Sequence, residues 1–243
     1  MATVRHLTHA PLREALVDIQ LERPLDLSFA ESLAKRVIPG YEARNEIRQF
    51  SIKLIGAGPS PDDRVEELLG WRYESPEGSR VVQLRRNGLT YSILREYTEW
   101  SDIRSAARSI WELYRTFAGG EQSVSRIAVR YINVLDLPPA VELNNYLTAA
   151  PQVPSGLPQT LTHFLERVVV PFEPDIFAII TQTLEPTLTS RPVTRVILDI
   201  DVYAQRSFQS DSAELWASFD RLREVKNSIF FSSLTDRALE TFL

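Results

Sequence analysis

The sequence predicts an α+β fold: antiparallel sheets with amphipathic helices packed on them. Three observations carry that expectation. Apolar and polar residues alternate through several segments of strand length, two long segments repeat their apolar residues at helical spacing, and helices follow runs of strands instead of alternating with them singly. A chain of 243 residues, 44% hydrophobic and 24% charged, can bury a substantial core.

EALVDIQLER (14–23) puts Ala15, Val17, Ile19 and Leu21 on one face and Glu14, Leu16, Asp18, Gln20 and Glu22 on the other, as a half-buried strand does. Pro24 ends it. In DLSFAESLAKRVI (26–38), Leu27, Ala30, Leu33, Ala34 and Val37 recur at helical spacing, and Pro39–Gly40 supply the stop. EIRQFSIKLIG (46–56), the turn-rich GAGPSPDD (56–63) and ELLGWRYESP (67–76) follow. RVVQLRRNGLTYSILR (80–95) then reads as a hairpin. Its Asn87–Gly88 pair suits a two-residue type I′ turn, a register that sets Val82 against Ile93 and Leu84 against Tyr91.

The next segment, TEWSDIRSAARSIWELYRTFAGG, carries Ile103, Ala106, Ala107, Ile110, Leu113, Tyr114 and Phe117 on one stripe. Thr98 and Ser101 are its candidate caps and Gly119–Gly120 its stop. VSRIAVRYINVLDL (124–137) is a strand ended by Pro138–Pro139; a short helix at VELNNYL and a loop over 148–159 come after it. HFLERVVVPF (163–172), DIFAIITQTLEP (175–186) and, beyond Pro192, VTRVILDIDVYAQ (193–205) are strands. The remainder is helical, with Leu215, Phe219, Leu222, Val225 and Ile229 on one stripe and a break near Ser232–Ser233. VILDIDVY (196–203) echoes ALVDIQLE (15–22), and the two helical stripes have nearly the same spacing. This suggests a degenerate duplication into halves 1–147 and 160–243 of one compact unit, although helical stripes also resemble one another by chance.

Composition excludes several classes of function. There are no cysteines, which removes disulfides, thiolate nucleophiles and Cys-based metal centres. A net charge of −5 gives no general attraction to nucleic acid or an anionic membrane. The N-terminus has no cationic–apolar leader and no run is long enough to span a bilayer, so a cytoplasmic location is expected. GAG (56–58) lacks the G-x-G-x-x-G pattern, the three histidines, His6, His9 and His163, are scattered, and no serine sits in an activating motif; no cofactor is indicated.

The candidate ligand-binding residues are Arg126, Arg130, Asp199 and Asp201. The two aspartates, two apart on a strand, share a face with Cα atoms about 7 Å apart, near enough to share a divalent metal or divide acid and base roles. Arg126 and Arg130 share a face of their own strand. They serve either as ion-pair partners for those aspartates or, with Arg85 and Arg86, as the lining of an anion-binding groove. Tyr131 and Asn133 fall on the opposite, apolar face, where the Asn amide is expected to satisfy backbone groups.

Several stretches together resemble an uncharacterised, sporadically distributed family of bacterial proteins of about this length: HAPLREALVDIQL, GWRYESPEGSRVVQLRRNGLTYSILREYTEW, RIAVRYINVLDLP, VTRVILDIDVYAQ and FFSSLTDRALETF. The Pro-x-x-Glu-Ala signature is carried by Pro11, Glu14 and Ala15, and the Arg-Tyr-Ile-Asn signature by Arg130 to Asn133. Asn often precedes the first signature in that family where this chain has His9, which weakens any role for that position. The resemblance implies no enzyme activity.

The leading expectation is therefore a non-enzymatic interaction or regulatory protein of the bacterial cytoplasm that binds a protein partner or its own copy, with Trp71, Trp100, Trp111 and Trp216 available for packing and, where exposed, for anchoring. The alternative is a metal- or phosphate-handling enzyme using Asp199 and Asp201 with Arg126 and Arg130. A third is a chaperone- or antitoxin-like module that binds extended segments along a sheet edge.

Overall fold

The computed structural model describes residues 7–52, 64–94, 99–185 and 193–243. Its strands are β1 (Leu12–Leu21), β2 (Glu42–Ile52), β3 (Arg64–Glu74), β4 (Arg80–Arg85), β5 (Gly88–Leu94), β6 (Ser123–Leu137), β7 (Leu165–Pro171), β8 (Ile176–Leu184) and β9 (Thr194–Gln209). They form one antiparallel sheet in the order β2-β3-β4-β5-β1-β6-β9-β8-β7. The helices are α1 (Leu27–Leu33), α2 (Trp100–Ala118), α3 (Ala213–Ser233) and α4 (Asp236–Glu240). The α+β class is as the alternation and stripes predict. The GAG loop at 56–58, His6, Thr98 and Pro192 lie outside the described residues.

The chain divides into two compact units, one of Met1–Ala15, Ala128–Gln205 and Ala213–Leu243, the other of Leu16–Ile127 and Arg206–Ser212. Strands β1, β6 and β9 each contribute to both, and the 148–159 loop lies inside the first. In the second unit the core is built on Val17, Ile19 and Leu21 of β1, Val82 and Leu84 of β4, Leu89 and Tyr91 of β5, and Ile103, Ala107, Ile110, Trp111 and Tyr114 of α2, all buried. Polar atoms taken inside with these rings find partners: Trp111 Nε1 donates to Ser210 O at 2.7 Å and Tyr114 OH to Arg85 O at 2.8 Å. Gly119, at φ 79°, ends α2 in the left-handed conformation expected of a glycine stop.

In the first unit the buried face of β9 (Val196, Leu198, Ile200, Val202) and of β6 (Val129, Tyr131, Leu135) is accompanied by the α3 stripe Leu215, Phe219, Leu222, Val225 and Ile229, also buried. The last strand-to-helix region is pinned by main-chain bonds from Thr148 N to Ser233 O and from Thr235 N to Tyr146 O, both 3.0 Å. The expected break in the terminal helix falls there, and Thr235 caps α4 by accepting from Ala238 N.

Two expectations are corrected. The helix predicted over 26–38 spans only Leu27–Leu33, and Val37, assigned to its buried stripe, is 77% exposed. Pro39 disfavours helical ψ at Ile38, which instead bridges to Tyr41. The hairpin register is shifted by two residues: Val82 pairs with Tyr91 and Leu84 with Leu89. The turn residues are Arg86 and Asn87, and the positive φ, 140°, belongs to Gly88. Tertiary contacts override the local type I′ preference. Arg86 N donates to Leu69 O (2.8 Å), Leu25 N to Arg86 O (2.7 Å) and Leu21 N to Asn87 O (2.9 Å), and a Cβ on Gly88 would lie 1.9 Å from Ile19 O.

Candidate functional site

The polar side chains of the sheet sort into separate ion-pair groups within each unit. In the second unit, Asp18 is 7% exposed and has an acceptor site filled on every side. Its Oδ1 accepts from Arg85 Nη2 at 2.7 Å and Thr90 Oγ1 at 2.6 Å; its Oδ2 accepts from Gln20 Nε2 at 3.0 Å and Arg126 Nη1 at 3.4 Å. The alternation of β1 forces this arrangement. With Val17 and Ile19 on the apolar face, Asp18 must point to the other one, and it is tolerated there because charged donors meet it.

In the first unit Arg130 grips Asp199 by two parallel bonds, Nε to Oδ1 at 2.8 Å and Nη2 to Oδ2 at 2.5 Å. Asp199, and then the fields of Asp201 and Glu14, hold the Arg130 pKa above its ordinary value against the effect of burial. A second group joins Arg13 to Glu185 (2.8 Å) and Arg195 to both Glu185 (3.6 Å) and Asp136 (2.5 Å). Hydrogen bonds from these arginines draw the Asp136 and Glu185 carboxyls below their ordinary values.

Of the four candidate residues, then, Arg130, Asp199 and Asp201 share one neighbourhood, and Arg126 belongs with Asp18. Both arginines already have carboxylate partners, and among the described residues no group of three or more His, Asp or Glu side chains could hold a metal ion. Arg85 binds Asp18, and Arg86 binds Glu67 and donates to Leu25 O at 2.7 Å, so both guanidinium groups already have carboxylate partners. Asn133, 4% exposed, donates to Leu198 O at 3.1 Å, the backbone-satisfying role expected for it. Tyr131 is covered by Lys226, whose Nζ stands 3.8 Å from the ring centroid. Trp100, Trp111 and Trp216 are core residues, 8% exposed or less.

A feature the motif reading passed over lies at one margin of the sheet. Strand β7, LERVVVP, is an edge strand, and Leu165 (68%), Val168 (41%) and Val169 (54%) are exposed along it, with Phe172 just beyond. Its ladder with β8 runs without a register shift. The opposite edge, β2, has two register shifts and exposed Glu46, Arg48 and Gln49, although Phe50 is also exposed there. Bulges, charges and proline blunt an edge against pairing; β7 has no bulge, and its only such residues are Glu166, Arg167 and the terminal Pro171. The sequence signal was present: three consecutive valines beside Leu165 leave both faces of a short strand apolar, which the alternation of a half-buried strand would not.

Compared with known proteins, the chain matches no family model, and no curated protein matches it significantly. No helix among the described residues is long and apolar enough to cross a membrane.

Proposed function

We propose that the protein is a non-enzymatic interaction or regulatory protein that binds by strand addition at β7, and that its partner is a second copy of itself. Its place in the bacterial cytoplasm belongs to the same proposal and rests on composition and the motif resemblance. The observation that carries the reading is the apolar, unbulged β7 edge, because unpaired main-chain groups flanked by apolar side chains are a template for another strand. The enzyme alternative draws less support, since Arg130 and Asp199 neutralise one another and Arg126 is paired with Asp18 instead.

The register of self-pairing follows from which groups are free. Leu184 N donates to Phe164 O and Phe172 N to Ile176 O, so even-numbered residues of β7 turn their main-chain groups to β8. Those of Leu165, Arg167 and Val169, with the carbonyl of Pro171, point off the edge. A two-fold pairing centred on Arg167 sets two arginines directly opposite, which is repulsive. Centring on Val169 opposes Arg167 with Pro171, which has no N–H to give, and loses bonds. Centring on Val168 pairs Arg167 with the partner's Val169 and Leu165 with the partner's Pro171, giving the fullest set without like charges opposed. In sedimentation the wild type is expected to be a dimer at micromolar concentration and Val169→Lys a folded monomer. A wild type that stays monomeric, or a Val169→Lys variant that still dimerises, contradicts the reading.

The half-domain organisation is likewise a proposal. The element order supports a repeat of leading strand, antiparallel strands and helix, β1 to α2 and β6 to α3, with β1 beside β5 and β6 beside β9. That repeat divides at Gly119–Gly120, so fragments cut there are expected to reassociate, by circular dichroism, better than fragments cut within 148–159; the reverse order would count against it.

A further inference from the structure

Lys226 stands beside the buried stripe of α3 and has no acidic partner among the described residues. Its Nζ lies 3.8 Å from the centroid of the buried Tyr131 ring and donates to Asn227 Oδ1 at 2.5 Å. One turn before it, Arg223 is also partly buried and forms no ion pair or hydrogen bond with a described residue. Glu224, the next residue, pairs with Arg221, as does Glu173. A helical side chain leans over the turn N-terminal to its own Cα, so Lys226 extends towards Arg223, and two cations share one partly desolvated place without a carboxylate to offset them. Burial, and then Arg223, lower the Lys226 pKa from 10.5 to about 7, which leaves a large share of free amine at neutral pH.

We propose that Lys226 is a modification site for carbon dioxide, carried as a carbamate whose carboxylate is held by Arg223. The amine lone pair forms a bond to the carbon atom, one carbon–oxygen π pair moves onto oxygen and the nitrogen gives a proton to water; nothing is oxidised or reduced. The change replaces two neighbouring cations by a carboxylate and its guanidinium partner. The Tyr131 face favours a cation over an anion, so the carbamate depends on Arg223 and on the Asn227 amide, whose Nδ2 is a donor that Lys226 does not use. Access sets the choice of electrophile. Lys226, Arg223 and Asn227 each keep partial exposure, and carbon dioxide, small, linear and uncharged, needs no preformed pocket. The inference does not rest on strand addition at β7, since none of the residues it uses is in β7 or β8.

The lysines of the chain are Lys35, Lys53 and Lys226, which makes the test simple to assign. The full chain is equilibrated at neutral pH with isotopically labelled bicarbonate and its carbon dioxide; carbamate is captured as the ethyl ester with triethyloxonium and located by mass spectrometry after proteolysis. The α-amino group, with an ordinary pKa of about 8, labels independently and shows that trapping has worked. A labelled adduct is expected on Lys226 in the wild type and not on the exposed Lys35. Arg223→Gln is expected to lower the Lys226 adduct about tenfold and Arg223→Lys to retain most of it, with circular dichroism reporting the fold of each. A wild type without an adduct at Lys226, an adduct of equal yield on Lys35, or an unchanged yield in folded Arg223→Gln would each overturn the inference.

Discussion

Asp18 and Asp199 occupy similar short motifs, yet the structure assigns them different energetic weights. The two aspartates are buried to a similar degree, with side chains 11% and 17% exposed, but the arginine bound to Asp18, Arg85, is 13% exposed whereas the one bound to Asp199, Arg130, is 42% exposed. Asp18→Asn leaves two guanidinium groups without their carboxylate in a poorly solvated place and is expected to cost about 3 kcal/mol in urea unfolding. Asp199→Asn is expected to cost about 1 kcal/mol or less, since solvent screens Arg130. Equal losses would show that the two pairs are not distinguished by burial. Pairing of Arg126 and Arg130 with strand carboxylates was legible in the alternation, but the partner of Arg126 was not: β6 lies between β1 and β9, and only strand order reveals acids on both sides of it. A second residue-scale effect comes from Lys226, which burial, and then the nearby Arg223, lower from 10.5 to about 7. Between those values the unfolded chain holds a proton that the folded chain lacks, so stability rises with pH from about 7 towards 10.5 and is level below. The Tyr131 face favours the charged form and the residue keeps intermediate exposure, which limits the size of the rise. Lys226→Met is expected to flatten the urea midpoint between pH 7 and pH 9.5; a slope unchanged from wild type would place its origin elsewhere.

Among the elements, the β4–β5 hairpin best separates local from tertiary control. The alternation of 80–95 gave its strands and its apolar face correctly, because a shift of two residues preserves which side each chain faces. The turn residues could not be read locally, since Leu21, Leu25 and Leu69 hold the turn from other parts of the chain. Gly88→Ala is expected to destabilise by at least about 3 kcal/mol in chemical unfolding, through both its positive φ and the Ile19 carbonyl in the path of a Cβ. A loss below about 1 kcal/mol would mean that β1 yields easily at that point. Helix α1 failed for the opposite reason: its apolar spacing was present, but only Ala30 and Leu33 are buried, and a helix of seven residues draws most of its stability from packing.

For the whole molecule, the α+β class was legible because strands and helices keep different apolar periods along most of the chain. The strand order was not, since it depends on β1 and β6 pairing with strands far along the sequence. The echo between 15–22 and 196–203 matched a strand that opens one run of elements, β1, with one that closes the other, β9. The β7 edge went unremarked for a related reason, as an apolar strand is ordinary in the interior of a sheet and becomes a binding feature only at its margin. Because the chain has no cysteine, a single introduced one reports on that margin directly. In the register centred on Val168 that residue faces its own counterpart in a non-hydrogen-bonded pair, close enough for a disulfide. Under mild oxidation Val168→Cys is expected to form a disulfide-linked dimer in high yield while Val169→Cys, facing the partner's Arg167, stays largely uncrosslinked. Failure of Val168→Cys to crosslink beyond the level of Val169→Cys would contradict self-association through the β7 edge in this register.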